Sequence, residues 1–175
     1  KKTLADYFKV PRDVYPVGRL DHDSEGLLLL TNDKTLNHRL LDPGFAHERE
    51  YWVQVDGAIT GEAIAQLQSG VIINIDGKAH HTLPCRAMVF ETAPPVPDRD
   101  PPIRFRKEIP SPWIRMILTE GKNRQVRRMT AKAGFPTLRL IRYRIEQLEL
   151  GKMQPGEIIE LSENTIRKKL FYDAH

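Results

Sequence analysis

The chain has 175 residues, of which 40 % are hydrophobic and 29 % are charged, and its formal net charge is +4. This length predicts about one ordinary domain, and this composition is typical of a folded globular protein rather than a disordered segment. No apolar run approaches the roughly 20 residues that a membrane-spanning helix needs, and the only cysteine, Cys85, excludes a disulfide framework and a cysteine-based zinc site and favours the cytoplasm.

Short segments rich in β-branched and aromatic residues are predicted to be strands. These segments are residues 27–31, 50–55, 71–75, 85–90, 113–119, 137–143 and 157–161. Helices are predicted at residues 34–41, 61–69, 124–133 and 163–170. The strands outnumber the helices and do not alternate with them one for one. The pattern therefore predicts an α+β fold with a mixed, largely antiparallel sheet and flanking helices.

The sequence GRLDHDSEGLLLLTND, residues 18–33, sets a cluster of carboxylates directly before four leucines. One interpretation is a polar turn that precedes a fully buried strand, because Asp, Ser and Gly are ordinary turn residues. A second is a calcium loop, but its twelfth position is Asn32 where an EF-hand requires glutamate. In a third, Asp21 is a nucleophile that the buried strand fixes in place and that a cationic partner keeps ionised.

The segment EREYWVQV, residues 48–55, brings two aromatic residues into one predicted strand. Tyr51 and Trp52 are neighbours, so their side chains point to opposite faces of the strand. One is expected in the core, and the other can line a cleft and stack on a base. Their spacing alone does not decide between them.

Residues 92–112 hold seven of the 13 prolines of the chain. A segment of this composition cannot form a central strand or a helix. Long loops in compact domains are usually functional or disordered. We expect a surface excursion between two strands, at 85–90 and 113–119, that are neighbours in one sheet.

Positive charge is concentrated in residues 99–144, where 13 Lys and Arg stand against three acidic residues. That segment therefore carries +10, against +4 for the whole chain. Such an asymmetry predicts a polyanionic partner, most often a nucleic acid. The alternative is a basic surface that only contacts solvent.

The sequence GKNRQVRRMTAKAGFP, residues 121–136, predicts a basic helix that ends at Gly134. At about 100° per residue, Arg124, Arg128 and Lys132 point away from its apolar face, where they would contact phosphates. Arg127 lies at the border of that face and is predicted to turn into a cleft. A solvent-exposed amphipathic helix is the competing interpretation.

Three motifs in this order resemble those of the ribosomal RNA pseudouridine synthases, in the branch that modifies small- and large-subunit rRNA. They are VYPVGRLDHDSEGLLLLTND, EREYWVQV and EGKNRQVRRM, and LIRYRIEQLELGKMQPGEIIEL resembles the closing strands of that family. The resemblance runs from about Thr3 to Leu161. It implies the fold of that family, with a central RNA-binding cleft. Relatives often begin with a small S4-type RNA-binding domain, and we expect residues 1–175 to form one catalytic domain without it.

The resemblance also implies roles for single residues. Asp21 corresponds to the nucleophile, Tyr51 to the tyrosine that lies against the target base, and Arg127 to the arginine that pairs with the catalytic carboxylate. Where many relatives have lysine two residues before the tyrosine, this chain has Arg49. Asp23 and Glu25 are then turn and capping groups without a chemical role. The residues expected to contact RNA are Arg19, Lys122, Asn123, Arg124, Arg128 and Lys132.

The implied reaction is isomerisation of one uridine to pseudouridine in rRNA, with 23S rRNA or a pre-ribosomal particle as the partner. It needs no cofactor and no metal, and the sequence has no dinucleotide fingerprint, P-loop or metal-ligand spacing. The target base is expected to flip out of its stack, and attack of Asp21 at C1′ or on the uracil ring stays open. We expect a cytoplasmic monomer without membrane attachment. The alternatives are a non-catalytic RNA-binding module that assists ribosome assembly and, less well supported, a DNA-binding factor.

Overall fold

The structure of the chain is a computed structural model that describes residues 2–171. The strands in this range are β1 Tyr15–Pro16, β2 Glu25–Gly26, β3 Leu30–Thr31, β4 Arg49–Val55, β5 Ile72–Ile75, β6 Lys78–His81, β7 Arg86–Val89, β8 Trp113–Leu118, β9 Thr137–Ile145 and β10 Leu148–Glu149. The α-helices are α1 Lys34–Leu41, α2 Gly61–Ser69, α3 Gln125–Lys132 and α4 Glu163–Ile166. The chain continues from α4 into a wider, π-type turn at Arg167–Phe171.

The main sheet has the strand order β10-β9-β4-β8-β7, and every neighbouring pair in this series is antiparallel. Strand β2 joins it by pairing in parallel with residues 141 and 142 of β9. Strands β1 and β3 form a separate antiparallel pair, and β5 and β6 form a hairpin. The α+β prediction with a mixed, largely antiparallel sheet is therefore confirmed.

A shift of register between β4 and β9 decides which arginines face which side of the sheet. Tyr51 pairs with Arg142, whereas its neighbour Glu50 pairs with Arg144. Consecutive residues of β4 point to opposite faces, so the extra residue in β9 turns Arg142 and Arg144 to opposite faces as well. Arg142 thus shares a face with Tyr51, and Arg144 shares the other with Glu50.

The core is divided between the two faces of the sheet and the region beneath α1. The largest cluster packs the residues of α2 and α3 on one face of β4, β8 and β9, with Val53, Ile114 and Met129 fully buried. On the other face Trp52 stacks on Tyr143, with ring centroids 3.8 Å apart. A third cluster joins α1 to β9 and to the π-type turn near the C-terminus.

Three of the helices within the described residues have a side-chain cap at their amino-terminal end. The Asp33 side chain accepts hydrogen bonds from the backbone N–H groups of α1, the Thr60 hydroxyl does so for α2 and Ser162 for α4. Side-chain oxygens at this position satisfy donors that have no partner inside the helix. The basic helix α3 differs, because it begins at Gln125 and its N-cap, Arg124, has a left-handed backbone with φ 51°.

Two of the strand predictions need correction. Residues 27–31 do not form a continuous buried strand: Leu27 is buried, the next three leucines are half-buried, and only Leu30–Thr31 pairs with β1. This segment leaves the edge of β9 and crosses to β1, so it cannot pair along its length with either strand. Residues 157–161 form no strand with any described residue, and Ile158 and Ile159 are exposed.

The proline-rich segment follows the prediction. Between Phe90 and Pro112 the chain has no helix or strand, and the flanking strands β7 and β8 are neighbours in the main sheet. Ion pairs of two arginines in this loop attach it to the rest of the molecule. Arg106 lies 3.0 Å from Asp56, and Arg99 lies 3.7 Å from Glu25.

Candidate active site

A cleft of about 350 Å³ opens where the turn at residues 18–26, one face of β4 and β9, and the loop before α3 meet. Asp21, Tyr51 and Arg142 line it together, with Leu140 and Val126 among its apolar residues. A volume of this size lies within the range of about 300–1,000 Å³ that is common for ligand sites. Residues from three distant parts of the sequence therefore share one concave surface.

The turn that carries Asp21 is closed by its own backbone and is fixed to β9. The backbone N–H of Ser24 donates to the Asp21 carbonyl at 2.9 Å, and the N–H of Leu27 donates to the Arg142 carbonyl at 2.9 Å. Gly26 has φ 108°, and a Cβ atom there would lie 2.3 Å from the carbonyl oxygen of Arg142. Only glycine permits this close approach of turn and strand.

Arg142 binds both ends of this turn through its side chain. Its Nε and Nη2 donate to the Leu27 carbonyl at 2.9 and 2.7 Å, and Nη1 donates to the Arg19 carbonyl at 3.3 Å. The residue is only 8 % exposed, and burial lowers the pKa of its guanidinium. A buried charge without hydrogen-bond acceptors is very costly. The hydrogen bonds to these carbonyls therefore hold the Arg142 side chain in one position, and the same bonds hold the turn.

Sequence reasoning counted Arg142 only as one cation of the basic segment. The signal that could have singled it out is a charged residue inside the apolar run LRLIRY, which must find acceptors when the strand is buried. Its acceptors are backbone carbonyls of a segment more than a hundred residues away, and no pattern in the sequence identifies those.

Arg124 contacts the acidic turn directly, which corrects the prediction that it points outward. Its two terminal nitrogens donate to the two carboxylate oxygens of Asp23 at 2.9 and 2.8 Å. Nη1 also lies 3.3 Å from Oδ2 of Asp21, whose side chain is 26 % exposed. The hydrogen bonds with Arg124 hold the pKa of Asp23 well below its usual range. The left-handed backbone at Arg124 redirects its side chain, and helical periodicity does not take that into account.

Arg127 turns inward, as the sequence predicted, but its contacts are with the neighbours of Asp21. Nη2 donates to the Asp23 carbonyl at 2.8 Å and to the Ser24 hydroxyl at 3.2 Å, and Nη1 lies 3.6 Å from the Asp23 carboxylate. The ion pair that Asp21 makes within 4 Å among described residues is with Arg124, although the field of Arg127 reaches it. Burial lowers the pKa of Arg127, and its Nε has no hydrogen-bond partner among residues 2–171.

Asp23 and Glu25 are more than turn and capping groups. Asp23 is held by the two arginines of the α3 segment, and Glu25 accepts two hydrogen bonds from Arg139 at 3.0 and 2.7 Å. Arg99 of the proline-rich segment lies 3.7 Å from the same carboxylate. The acidity of the turn therefore attaches it to three basic segments of the chain, so it is not incidental.

Of the two neighbouring aromatic residues, Tyr51 lines the cleft and Trp52 packs on the opposite face of the sheet. Tyr51 is half-buried beside Arg142 and interacts with its guanidinium. This resolves the alternative that the sequence left open. Arg49, at the lysine position of many relatives, also lines the cleft, and its Nη2 donates to the Leu40 carbonyl at 3.0 Å.

The residues predicted to contact RNA divide between two surfaces. Arg19, Lys122, Asn123 and Arg124 line the cleft, whereas Arg128 and Lys132 line a separate groove between α3 and the β5–β6 hairpin. The side chains of Arg19 and Lys122 are exposed and have no hydrogen-bond or ion-pair partner within residues 2–171. These two cations are therefore free to bind an anion at the cleft.

Hydrogen bonds to the Glu120 carboxylate hold the loop between β8 and α3 in place. The carboxylate accepts hydrogen bonds from the Leu83 backbone N–H and from Gln125 Nε2, both at 2.8 Å, and its other oxygen lies 3.1 Å from His80 Nε2. Burial opposes ionisation, but these hydrogen bonds outweigh it and lower the pKa of Glu120. Gln125 in turn accepts from the backbone N–H of Lys122 at 3.0 Å.

Within the described part of the chain, no group of three or more His, Cys, Asp or Glu side chains is arranged to hold a metal ion. Cys85 is half-buried away from the cleft, and burial raises the pKa of its thiol to about 11. None of the helices within residues 2–171 has the length and apolar character needed to cross a membrane.

Comparisons with known proteins agree with the motifs. The profile of a family described as RNA pseudouridylate synthase matches residues 1–132. A protein of Vibrio parahaemolyticus named ribosomal large subunit pseudouridine synthase E is 50 % identical over 161 residues, which are 92 % of this chain and 65 % of the relative. A protein of Xanthomonas axonopodis pv. citri with the same name is 50 % identical over 155 residues, 89 % of this chain and 79 % of the relative.

A crystal structure of a pseudouridylate synthase has the same fold, with a TM-score of 0.78 and 24 % identity over 96 % of this chain and 65 % of that one. The chain thus spans about two thirds of the length of the Vibrio relative and of this solved structure. These matches confirm both the resemblance that the three motifs indicated and the fold that it implied.

Proposed function

The chain belongs to the RNA pseudouridylate synthase family, and we propose that it converts a specific uridine of ribosomal RNA into pseudouridine. The names of its 50 % identical relatives make 23S rRNA of the large subunit the substrate to test first, as free RNA or in a pre-ribosomal particle. We also propose that residues 1–175 act as one catalytic domain, as a monomer and in the cytoplasm.

The observation that carries the proposal is the position of Asp21. Its carboxylate lines the same cleft as Tyr51 and lies 3.3 Å from Arg124, on a turn that Arg142 fixes at both ends. A nucleophile has to be held rigidly at the reacting atom, with opposite charge nearby. The fixed turn and the nearby Arg124 support this role for Asp21.

The reaction moves the uracil on its own ribose. The bond between N1 and C1′ breaks, the base turns within the cleft, and a bond forms between C5 and C1′, while C5 loses a proton and N1 gains one. Atoms and electrons balance without an oxidant, a reductant or a second substrate. Attack on C1′ and addition to the uracil ring both begin at the Asp21 carboxylate.

The base has to leave its stack before it reaches a carboxylate inside a cleft. Tyr51 then packs against the uracil, and the exposed cations Arg19 and Lys122 bind the flanking phosphates. Arg124 balances the charge of Asp21 in the free protein, and Arg127 supports the turn from the buried side. Fixed positive groups of this kind also stabilise negative charge that develops on the departing base.

The test is to incubate the chain with 23S rRNA transcript and to map pseudouridine by chemical modification and primer extension. Asp21→Asn is expected to bind the RNA with unchanged affinity and to lose at least about a thousandfold in turnover, because the nucleophile is gone. Asp98→Asn, at an exposed aspartate outside the cleft, is the matched control. RNA binding without pseudouridine in the unmodified protein would instead indicate a non-catalytic RNA-binding module.

A further inference from the structure

A second concave surface, separate from the catalytic cleft, lies beside α3. This groove, of about 480 Å³, is bounded by the β5–β6 hairpin and by the outer side of α3. Its apolar lining comes from Ile72, Ile73, Ala79 and Ala131, and its polar lining from Asn74, Arg128 and Lys132. Ile72 is 58 % exposed, the highest value among the large hydrophobic residues of the described part of the chain.

The two cations of this groove have no acidic partner among residues 2–171. Arg128 donates to the backbone carbonyls of Asn74 and Asn123 and to the Asn123 side chain, all of which are neutral. Lys132 is exposed and has no hydrogen-bond or ion-pair partner among residues 2–171. Like charges four residues apart on a helix destabilise it slightly. Arg128 and Lys132 therefore place two positive charges beside one apolar surface, and no carboxylate of the described residues pairs with either of them.

The groove and the cleft are linked through one residue, Asn123. Asn123 lines the catalytic cleft, and its carbonyl and side-chain oxygens hold Arg128 at 3.0 and 3.3 Å. Arg128 reaches across to the Asn74 carbonyl of the hairpin at 2.9 Å. A polymer that leaves the cleft over Asn123 consequently meets Arg128 next, and then the open groove.

We propose that this groove binds the RNA strand that flanks the target uridine, with a ribose or base on the exposed Ile72 and a phosphate at Lys132. The choice of partner follows from charge complementarity and from continuity with the catalytic cleft, and it rests on the proposed function. Proteins that bind single-stranded nucleic acids use positively charged grooves that follow the phosphate backbone, and here an apolar surface lies beside the cations. The small side chains of Ala79 and Ala131 leave room for that contact, and Arg128 shapes the rim through its fixed hydrogen bonds.

Ala131→Glu tests the groove without touching the catalytic residues. Glutamate is a good helix former, so α3 is retained, but the new side chain occupies the groove and places a negative charge beside Lys132. Ala65→Glu, at an exposed position of α2, is the matched control. Lys132→Ala removes one cation without filling the space. Thermal unfolding of each variant verifies that the fold is kept.

Affinity is measured by fluorescence anisotropy with two labelled fragments of 23S rRNA, one long and one trimmed to the nucleotides next to the modified uridine. We expect Ala131→Glu to weaken binding of the long RNA at least tenfold. Lys132→Ala should weaken it severalfold and lower the slope of log affinity against log salt by about 0.7, the contribution of one phosphate on a single strand. Ala131→Glu should bind and modify the trimmed RNA as the Ala65→Glu control does.

Equal affinity of Ala131→Glu and Ala65→Glu for the long RNA would overturn the proposal. So would a loss that is seen only with ribosomal particles and not with naked RNA, because the groove would then bind a protein. If the unmodified protein forms no pseudouridine in any RNA, the proposed function fails, but the affinities for the two fragments still decide whether RNA occupies the groove.

Discussion

The guanidinium of Arg142 holds the carbonyl of Leu27 with two hydrogen bonds, 2.9 Å from Nε and 2.7 Å from Nη2. Its third hydrogen bond goes to the carbonyl of Arg19, so both ends of the turn around Asp21 are attached to one side chain. The position of the carboxylate in the cleft therefore depends on a residue that does not contact it.

Replacing Arg142 by Gln is expected to lower kcat by about 10- to 100-fold, because small displacements of a catalytic group cost about that much. The affinity for RNA should change less than about threefold, since the exposed cations of the rim are untouched. Lysine at this position should restore part of kcat, as it keeps one donor for the Leu27 carbonyl. Single-turnover kinetics and RNA binding measure the two quantities separately.

Arg144→Gln is the control for this change, because Arg144 is two residues along the same strand, is equally engaged in hydrogen bonds, and faces Glu50 on the other side of the sheet. Arg144→Gln should lower the free energy of unfolding, but it should not lower kcat selectively as Arg142→Gln does. If both variants lose kcat in proportion to their stability, Arg142 has only a structural role.

The contact between Arg124 and Asp23 is predicted to be energetically coupled. Arg124→Gln and Asp23→Asn should each lower the free energy of unfolding. The double variant should lower it by less than the sum of the two single changes. The coupling energy should be about 0.5–1 kcal/mol, because the two groups form a bidentate ion pair but their side chains are partly exposed. Urea denaturation of the four proteins gives the value, and strictly additive losses would show that the two groups do not interact in solution.

The carboxylate of Glu120 should make stability depend on pH. Its pKa is lower in the folded chain than in the unfolded chain, so its contribution is present above about pH 4.5 and is lost as the pH falls below that value. Glu120→Gln should cost about 1–2 kcal/mol at pH 7, because hydrogen-bond donors of Leu83 and His80 lose their charged acceptor. The difference from the unmodified protein should shrink between pH 5 and pH 3, and denaturant titrations at three pH values follow it. A difference that is constant over this range contradicts the prediction.

Binding of RNA should weaken as salt rises, with log affinity falling by about 0.7 to 0.9 per phosphate that the protein neutralises. Arg19→Ala and Lys122→Ala should each reduce this slope by about one phosphate, since both side chains are exposed and unpaired within the described residues. Lys152→Ala, on the loop after β10, serves as the control. Anisotropy titrations from low to high salt give the slopes, and an unchanged slope in both variants would place the RNA elsewhere.

The fold was predictable where local chemistry decides it. Asp33, Thr60 and Ser162 cap helices because their side chains compete for backbone N–H groups, and the hydrophobic pattern of residues 50–55 predicts a central strand. The four consecutive leucines misled the prediction, since a buried strand and a crossing segment have the same composition. Their true course depends on pairing with β9, which is set by tertiary contacts.

The site was predictable as a set of motifs but not as a network of contacts. Asp21, Tyr51 and the basic segment before α3 meet as expected. The contact of Arg124 with Asp21 and Asp23 was missed because Arg124 has a left-handed backbone at the start of α3, which helical periodicity cannot represent. The partners of Asp23 and Arg142 depend on pairings across more than a hundred residues, and a single sequence carries no direct signal for them.

The parallel pairing of Glu25–Gly26 with β9 has a consequence for the way the protein is made. Strand β9 is synthesised more than a hundred residues after Asp21, so a nascent chain has no shaped catalytic turn until β9 has left the ribosome. Closing a loop of this size is slow compared with forming a helix or a hairpin. The turn around Asp21 therefore cannot acquire its native geometry before β9 is in place, and truncation before β9 leaves the aspartate without a scaffold.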